Sequence, residues 1–269
     1  VTVFNTPPVI TTVAIAPADP TVSESLTCAA AASDADGDAL TITYAWTVGG
    51  VAAGTGSTLS GGFARGDTVT CTATPSDGTT NGPAASDSVT VANSAPAIAA
   101  VSISPASPTV SDTLTCAYSG FSDADGDADQ STVSWSVGGV EVGTGATLSS
   151  GFAAGDVVTC TVTPDDGVDT GASVSGAVTV DNAAPTVTGI AVTPPNPTVE
   201  DALLCAATTD DADGDAVTVS YAWTVGGVEV GTGATLSSGF ARGDTVTCAA
   251  TPDDGTDAGA PASTSVTVG

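Results

Sequence analysis

Apolar and polar residues alternate along most of this chain. Leu40, Ile42, Tyr44, Trp46 and Val48 are interleaved with Thr41, Thr43, Ala45 and Thr47. A period of two sends one set to each face of a strand, so this run predicts a half-buried β-strand with Trp46 inward. The run from Val9 to Ala16 alternates in the same way. No segment carries the 3.6-residue period of an amphipathic helix. Turn formers punctuate the runs: Pro17-Ala18-Asp19-Pro20, Gly49-Gly50, Ala64-Arg65-Gly66-Asp67 and Pro75-Ser76-Asp77-Gly78. Between them lie short strands around Leu26-Thr27-Cys28, Leu59, Val69-Thr70-Cys71 and Val89-Thr90-Val91.

The whole pattern occurs three times. Cys28, Asp34-Ala35-Asp36-Gly37-Asp38, Trp46 and Cys71 return as Cys116, Asp123-Ala124-Asp125-Gly126-Asp127, Trp135 and Cys160. They return again as Cys205, Asp211-Ala212-Asp213-Gly214-Asp215, Trp223 and Cys248. A fixed period of about 88 residues means tandem copies of one domain. About seven short strands in Cys–Trp–Cys order specify an immunoglobulin-like sandwich. The expected fold is therefore all-β: three tandem immunoglobulin-like β-sandwich domains with one disulfide each, arranged as an elongated rod. The expected boundaries are residues 5–92, 93–181 and 182–269, with residues 1–4 the last strand of a preceding repeat. On this reading the sequence is a processed form or a piece of a longer array, or the strand at residues 1–4 completes a neighbouring subunit. Short Pro-bearing joints, Thr6-Pro7-Pro8, Ser94-Ala95-Pro96 and Ala183-Ala184-Pro185, predict stiff connections.

Composition narrows the partners. The chain has 30 acidic residues against 2 basic ones, Arg65 and Arg242, no His, and a net charge of −28. Phosphate binding needs Lys and Arg, so nucleic acid and anionic membrane surfaces are excluded as partners. No apolar run is long enough to span a bilayer. Six Cys in three equally spaced pairs predict the disulfides Cys28–Cys71, Cys116–Cys160 and Cys205–Cys248, hence an oxidising, extracellular or cell-surface location. Each would close a loop of about 44 residues, worth about 4 kcal/mol in the chain-entropy model.

The acids are gathered rather than spread. In an immunoglobulin sandwich the Asp-x-Asp-Gly-Asp loop and the Pro-x-Asp-Gly hairpin lie at one end, beside the incoming joint. These loops hold 18 of the 30 acids. The candidate metal ligands are Asp34, Asp36, Asp38 and Asp77; then Asp123, Asp125, Asp127, Asp165 and Asp166; then Asp211, Asp213, Asp215, Asp253 and Asp254. Two charges 4 Å apart repel by about 4 kcal/mol at an effective dielectric of 20, so such clusters call for a counter-charge. Hard carboxylate oxygens suit Ca2+. The spacing is not that of an EF-hand, because position 12 counted from Asp34 is Ala45. Further ligands on this reading are Asn5, Asn93, Asn182 and the preceding domain's Glu24, Asp67 or Asp112. Two other readings stay open: Asp-Gly pairs that merely make turns, and a halophilic surface whose charge salt screens.

The Asp-Ala-Asp-Gly-Asp loops and the Trp strands after them resemble the Ig-like and PKD-like repeats of large bacterial surface proteins. The tandem acidic junctions are similar to cadherin-like arrays, although this chain adds a cysteine pair to each repeat. The resemblance implies an architecture shared by adhesins, fibres and stalks. Catalysis is not expected. No His supplies a general base near neutrality, and the paired cysteines leave no thiol. Arg65-Gly66-Asp67 and Arg242-Gly243-Asp244 match the integrin-binding tripeptide, but the middle copy reads Ala154-Gly155-Asp156 and the stretch is read as a turn entering a strand. The expected function is a structural fibre, filament or surface stalk built by self-association and rigidified by Ca2+. The alternative is an adhesin that recognises glycans or a partner cell, with Tyr118 and Phe121 of the middle copy as the place to look.

Overall fold

The computed structural model describes residues 4–269. It is built from β-strands, with no helix among the described residues. The first set comprises β1 (Val9–Ala16), β2 (Ser25–Ser33), β3 (Thr41–Val48), β4 (Val51–Thr55), β5 (Thr58–Ser60), β6 (Thr68–Ser76) and β7 (Ala85–Thr90). The second comprises β8 (Ala100–Ser104), β9 (Leu114–Ser119), β10 (Thr132–Val137), β11 (Val140–Thr144), β12 (Thr147–Leu148), β13 (Val157–Thr163) and β14 (Val174–Thr179). The third comprises β15 (Thr186–Thr193), β16 (Leu203–Asp210), β17 (Thr218–Val225), β18 (Val228–Thr232), β19 (Thr235–Leu236), β20 (Thr245–Asp253) and β21 (Ala262–Thr267). Of the orphan strand expected at residues 1–4, Val1 to Val3 lie outside the described residues. Phe4 is exposed and outside any strand.

Each set forms a three-stranded and a four-stranded antiparallel sheet. In the first set the orders are β1-β2-β5 and β4-β3-β6-β7, and the other two sets repeat them. The fourth strand pairs with the third rather than with the fifth, which makes the division three plus four. This is the expected immunoglobulin-like sandwich. The alternation read from the sequence is the burial pattern observed. Along β6, Val69, Cys71, Ala73 and Pro75 are buried while Thr68 is exposed and Thr70, Thr72, Thr74 and Ser76 are half-buried. β-Branched Thr and Val suit a pleated surface with one dry face.

The core of each set is built around one tryptophan. Trp46, Trp135 and Trp223 are at most 1% exposed. Trp46 sits opposite Cys71 across β3 and β6, and Trp223 opposite Cys248 across β17 and β20. Each indole Nε1–H donates to a backbone carbonyl ten residues on, Gly56, Gly145 or Gly233, at 2.8 Å. The one polar atom of a large buried side chain is thereby satisfied. The disulfides Cys28–Cys71, Cys116–Cys160 and Cys205–Cys248 are formed as expected, and no cysteine is free among the described residues.

By internal contacts the chain divides into two compact units. One holds the chain up to Ala100 with Ser119–Thr132 and Val162–Val174. The other holds Val101–Tyr118, Val133–Thr161 and Ser175–Gly269. Each unit therefore contains one complete seven-stranded set; the first also holds the loops Asp34–Asp38 and Asp123–Asp127 with their joints, and the second the loop Asp211–Asp215 with its joint.

Candidate metal centre

The Asp-Ala-Asp-Gly-Asp loop folds around its first aspartate. Oδ1 of Asp123 accepts the backbone N–H groups of Asp125 and Asp127, both at 2.9 Å. Asp211 does the same for Asp213 and Asp215, at 3.0 Å each. Asp34 does so for Asp36 and Asp38, at 2.8 and 3.3 Å. Gly126 stands at φ +83°, a left-handed conformation that costs other residues about 1–2 kcal/mol, which explains the invariant Gly at this place in all three loops. The turn draws three carboxylates together, with one oxygen of each within 4.8 Å of the others in all three loops. Two oxygens bound to one Ca2+ at about 2.4 Å lie at most about 4.8 Å apart, so the spacing leaves room for one shared ion.

The incoming joint supplies the next contact. Ser94 N–H donates to Asp125 Oδ2 and Ala183 N–H to Asp213 Oδ2, both at 2.6 Å; Thr6 and Asp36 repeat it. Each of these aspartates thus spends one oxygen on backbone. The remaining oxygens are the notable ones. Asp34 Oδ2, Asp123 Oδ2, Asp125 Oδ1, Asp211 Oδ2 and Asp213 Oδ1 are inaccessible to solvent and have no hydrogen-bond partner. A buried carboxylate oxygen without a donor is costly, and the same two atoms are left this way in both the second and third loops.

The hairpin acids behave differently. Asp166 is 4% exposed. Its Oδ1 accepts from the N–H groups of Val168 and Asp169 at 2.7 Å, and its Oδ2 accepts from Asn93 Nδ2 at 2.8 Å. Asp254 repeats this with Thr256, Asp257 and Asn182, and Asp77 with Thr79, Thr80 and Asn5. The donors favour the charged form. Asp77 is held below the usual carboxylate range, chiefly by the Thr80 N–H and then by Asn5. Asp166 is lowered chiefly by the Asp169 N–H, with burial opposing, and Asp254 chiefly by the Asp257 N–H and then Asn182. Asp165 and Asp253 cap the same turns through Gly167 and Gly255.

The fourteen sequence candidates therefore fall into two groups. The nine aspartates of the loops converge as triads. Asp77, Asp165, Asp166, Asp253 and Asp254 serve their own hairpins, and Asp77, Asp166 and Asp254 also hold the joint asparagines. The additional residues Glu24, Asp67 and Asp112 cap local turns, accepting from Thr21, Ala64 and Thr109. The pattern Thr-x-x-Glu or Thr-x-x-Asp signals this for Glu24 and Asp112.

Sequence reasoning missed one residue at the site. Arg65 Nη1 lies 2.5 Å from Asp127 Oδ2 and 2.5 Å from Asn93 Oδ1. It is the one ion pair among the described residues. The available signal was the variable place in the Ala-x-Gly-Asp turn, filled by Arg65, Ala154 and Arg242. At the second joint, where Ala154 stands, a cleft of about 420 Å³ is lined by Val110, Phe152, Ala153, Ala154, Ala212, Asp213 and Asp215.

Fold and site define a class: tandem disulfide-bonded immunoglobulin-like sandwiches with an acidic loop at each joint. No protein-family model matches the chain, and no curated protein sequence matches it. Among solved structures it is similar to the three N-terminal domains of the bacteriophage RB49 highly immunogenic outer capsid protein, at 17% identity and TM-score 0.33, covering 97% of this chain and 100% of that one. It is similar also to the D1–D4 ectodomain fragment of ICAM-5, at 16% identity and TM-score 0.45, over 96% and 76% of the two chains. Sidekick-1 immunoglobulin domains 1–5 match at 14% identity and TM-score 0.37, over 99% and 60%.

Proposed function

We propose that this chain is a structural extracellular array, part of a fibre, filament or surface stalk, whose joints are stiffened by Ca2+. The observation that carries the reading is the recurrence of buried, unpartnered carboxylate oxygens beside each joint. A cation of valence two satisfies several of them at once, and the donor set is all hard oxygen. Asp123, Asp125 and Asp127 would hold one ion, Asp211, Asp213 and Asp215 a second, and Asp34, Asp36 and Asp38 a third. The ion would supply the positive charge that a chain with 2 basic residues largely lacks. Because Ser94 and Ala183 already tether joint to loop, neutralising the loop also fixes the joint. Three formed disulfides support an oxidising location outside the cell. Self-association through repeat-to-repeat contacts that do not close on themselves would extend the array.

Electron microscopy of the whole chain, in Ca2+ and in chelator, tests this. Straight particles of uniform length in Ca2+ and bent ones in chelator are expected. Equally bent particles in both conditions would overturn the cation as the stiffening agent.

A further inference from the structure

The two joints inside the chain differ in the side chain that the neighbouring Ala-x-Gly-Asp turn presents, Arg65 at the first and Ala154 at the second. In the first, the Ala64-Arg65-Gly66-Asp67 turn is closed by Asp67 Oδ2 accepting from Ala64 N–H at 2.8 Å and by Gly66 N–H donating to Val91 O at 2.9 Å. The turn at Ala153-Ala154-Gly155-Asp156 makes the same two bonds, 2.8 Å from Ala153 N–H to Asp156 Oδ2 and 2.8 Å from Gly155 N–H to Val180 O. The backbone frames correspond, so position 154 is where Arg65 stands in the first joint. Arg65 delivers a guanidinium to Asp127, the third aspartate of the following loop, and to the joint's Asn93. Ala154 delivers nothing to Asp215, the corresponding aspartate, and leaves the cleft bounded by Asp213 and Asp215.

We propose that Arg65 is a built-in cation for the first joint, and that Ala154 leaves the second joint to take its whole counter-charge from solution. The two joints of one chain thus differ in their demand for a divalent ion: the first is partly neutralised by the protein, the second is not. This rests on the cation reading above and adds where, within the chain, that ion is needed most. Two properties make arginine suited to the role. It stays charged at all working pH values, and it hydrogen-bonds carboxylate and amide oxygens at the same time. Its positive charge repels an incoming ion and occupies one ligand, so both effects weaken metal binding at the first loop. The third set carries Arg242 in a turn with the same bonds, Ala241 N–H to Asp244 and Gly243 N–H to Val268 O, and Arg242 is exposed with no carboxylate partner among the described residues.

The test is a Ca2+ titration of the whole chain followed by amide NMR, which reads the loops separately through Asp125 and Asp127 and through Asp213 and Asp215. In the natural chain the second loop is expected to saturate at a Ca2+ concentration at least about tenfold lower than the first. Arg65→Ala brings the first loop down towards the second. Ala154→Arg raises the midpoint of the second by a similar factor. Arg242→Ala, which removes the same charge from neither joint, leaves both midpoints in place. Equal midpoints that Arg65→Ala does not move overturn this inference while leaving the cation reading intact. Equal shifts from Arg65→Ala and Arg242→Ala overturn it too, since they reveal only net charge. Loops that respond to Ca2+ in no variant overturn the cation reading itself.

Discussion

At the scale of single residues, the chain is organised by close approaches that no local pattern announces. A Cβ built on Gly171 would lie 1.8 Å from the carbonyl oxygen of Pro96, and Gly82 and Gly259 meet Pro8 and Pro185 in the same way at 1.7 Å. The hairpin exit is thus pressed against the joint's proline, and only a glycine permits it. Gly171→Ala forces backbone apart and is expected to cost about 1–3 kcal/mol, the range for overpacking a tight site. Thermal unfolding of the variant measures it, and an unchanged Tm would show that the joint does not press on the hairpin. The sequence displayed the Asp-x-Asp-Gly-Asp motif plainly, because the spacing of its aspartates and its glycine are local. It did not display Arg65, whose partner lies 62 residues away. Nor did it separate ligand candidates from caps: Asp166 and Asp125 are both aspartates in acidic turns, and only the hydrogen bonds distinguish a satisfied carboxylate from an unsatisfied one.

At the scale of elements, the sandwich was legible wherever one face is dry. The Trp strand shows its alternation because Trp46 and Tyr44 face the core while Thr41 and Thr43 face out. The fourth strand shows none, since all five residues of Val51–Thr55 are exposed, and its pairing with β3 follows only from the two-residue Gly49-Gly50 turn. Its place on that sheet brings the Gly56 carbonyl over Trp46 Nε1, so the edge strand and the core residue are linked. In the third set Trp223→Phe removes the donor to Gly233 and shrinks a side chain that is 0% exposed. The orphaned carbonyl and the lost volume together are expected to cost about 2–4 kcal/mol. Hydrogen exchange at the amides of Val246 and Cys248 should accelerate while the first set's core stays protected. Exchange unchanged in the third set would mean the indole is not what holds the edge strand down.

At the scale of the whole molecule, the sequence period and the packing divide the chain differently. The period sets boundaries near residues 93 and 182, whereas contact density joins Asn93, Ser94 and the Asp123–Asp127 loop to the set that precedes them. Repetition measures where the chemistry starts again, and hydrogen bonds cross each such boundary, from Asn93 to Asp166 and from Asn182 to Asp254. The same bonds set the response to acid. Asp77, Asp166, Asp254 and Asp201, the last held down chiefly by the Thr198 N–H, all have folded values below the ordinary carboxylate one. For such groups the unfolded chain binds more protons than the folded one between the lowered folded value and the ordinary value of about 3.9. Their stabilisation is therefore complete above about pH 5 and lost as pH falls through the folded values. The net charge of −28 works the other way, since protonation relieves self-repulsion. That relief is spread thinly over many exposed acids and is screened by salt, whereas the loss is concentrated on the four carboxylates that folded donors hold down. Urea midpoints measured in chelator should accordingly be level from pH 7 to pH 5 and fall between pH 4 and pH 2. A midpoint that rises across that lower interval would mean charge relief outweighs the hairpin bonds.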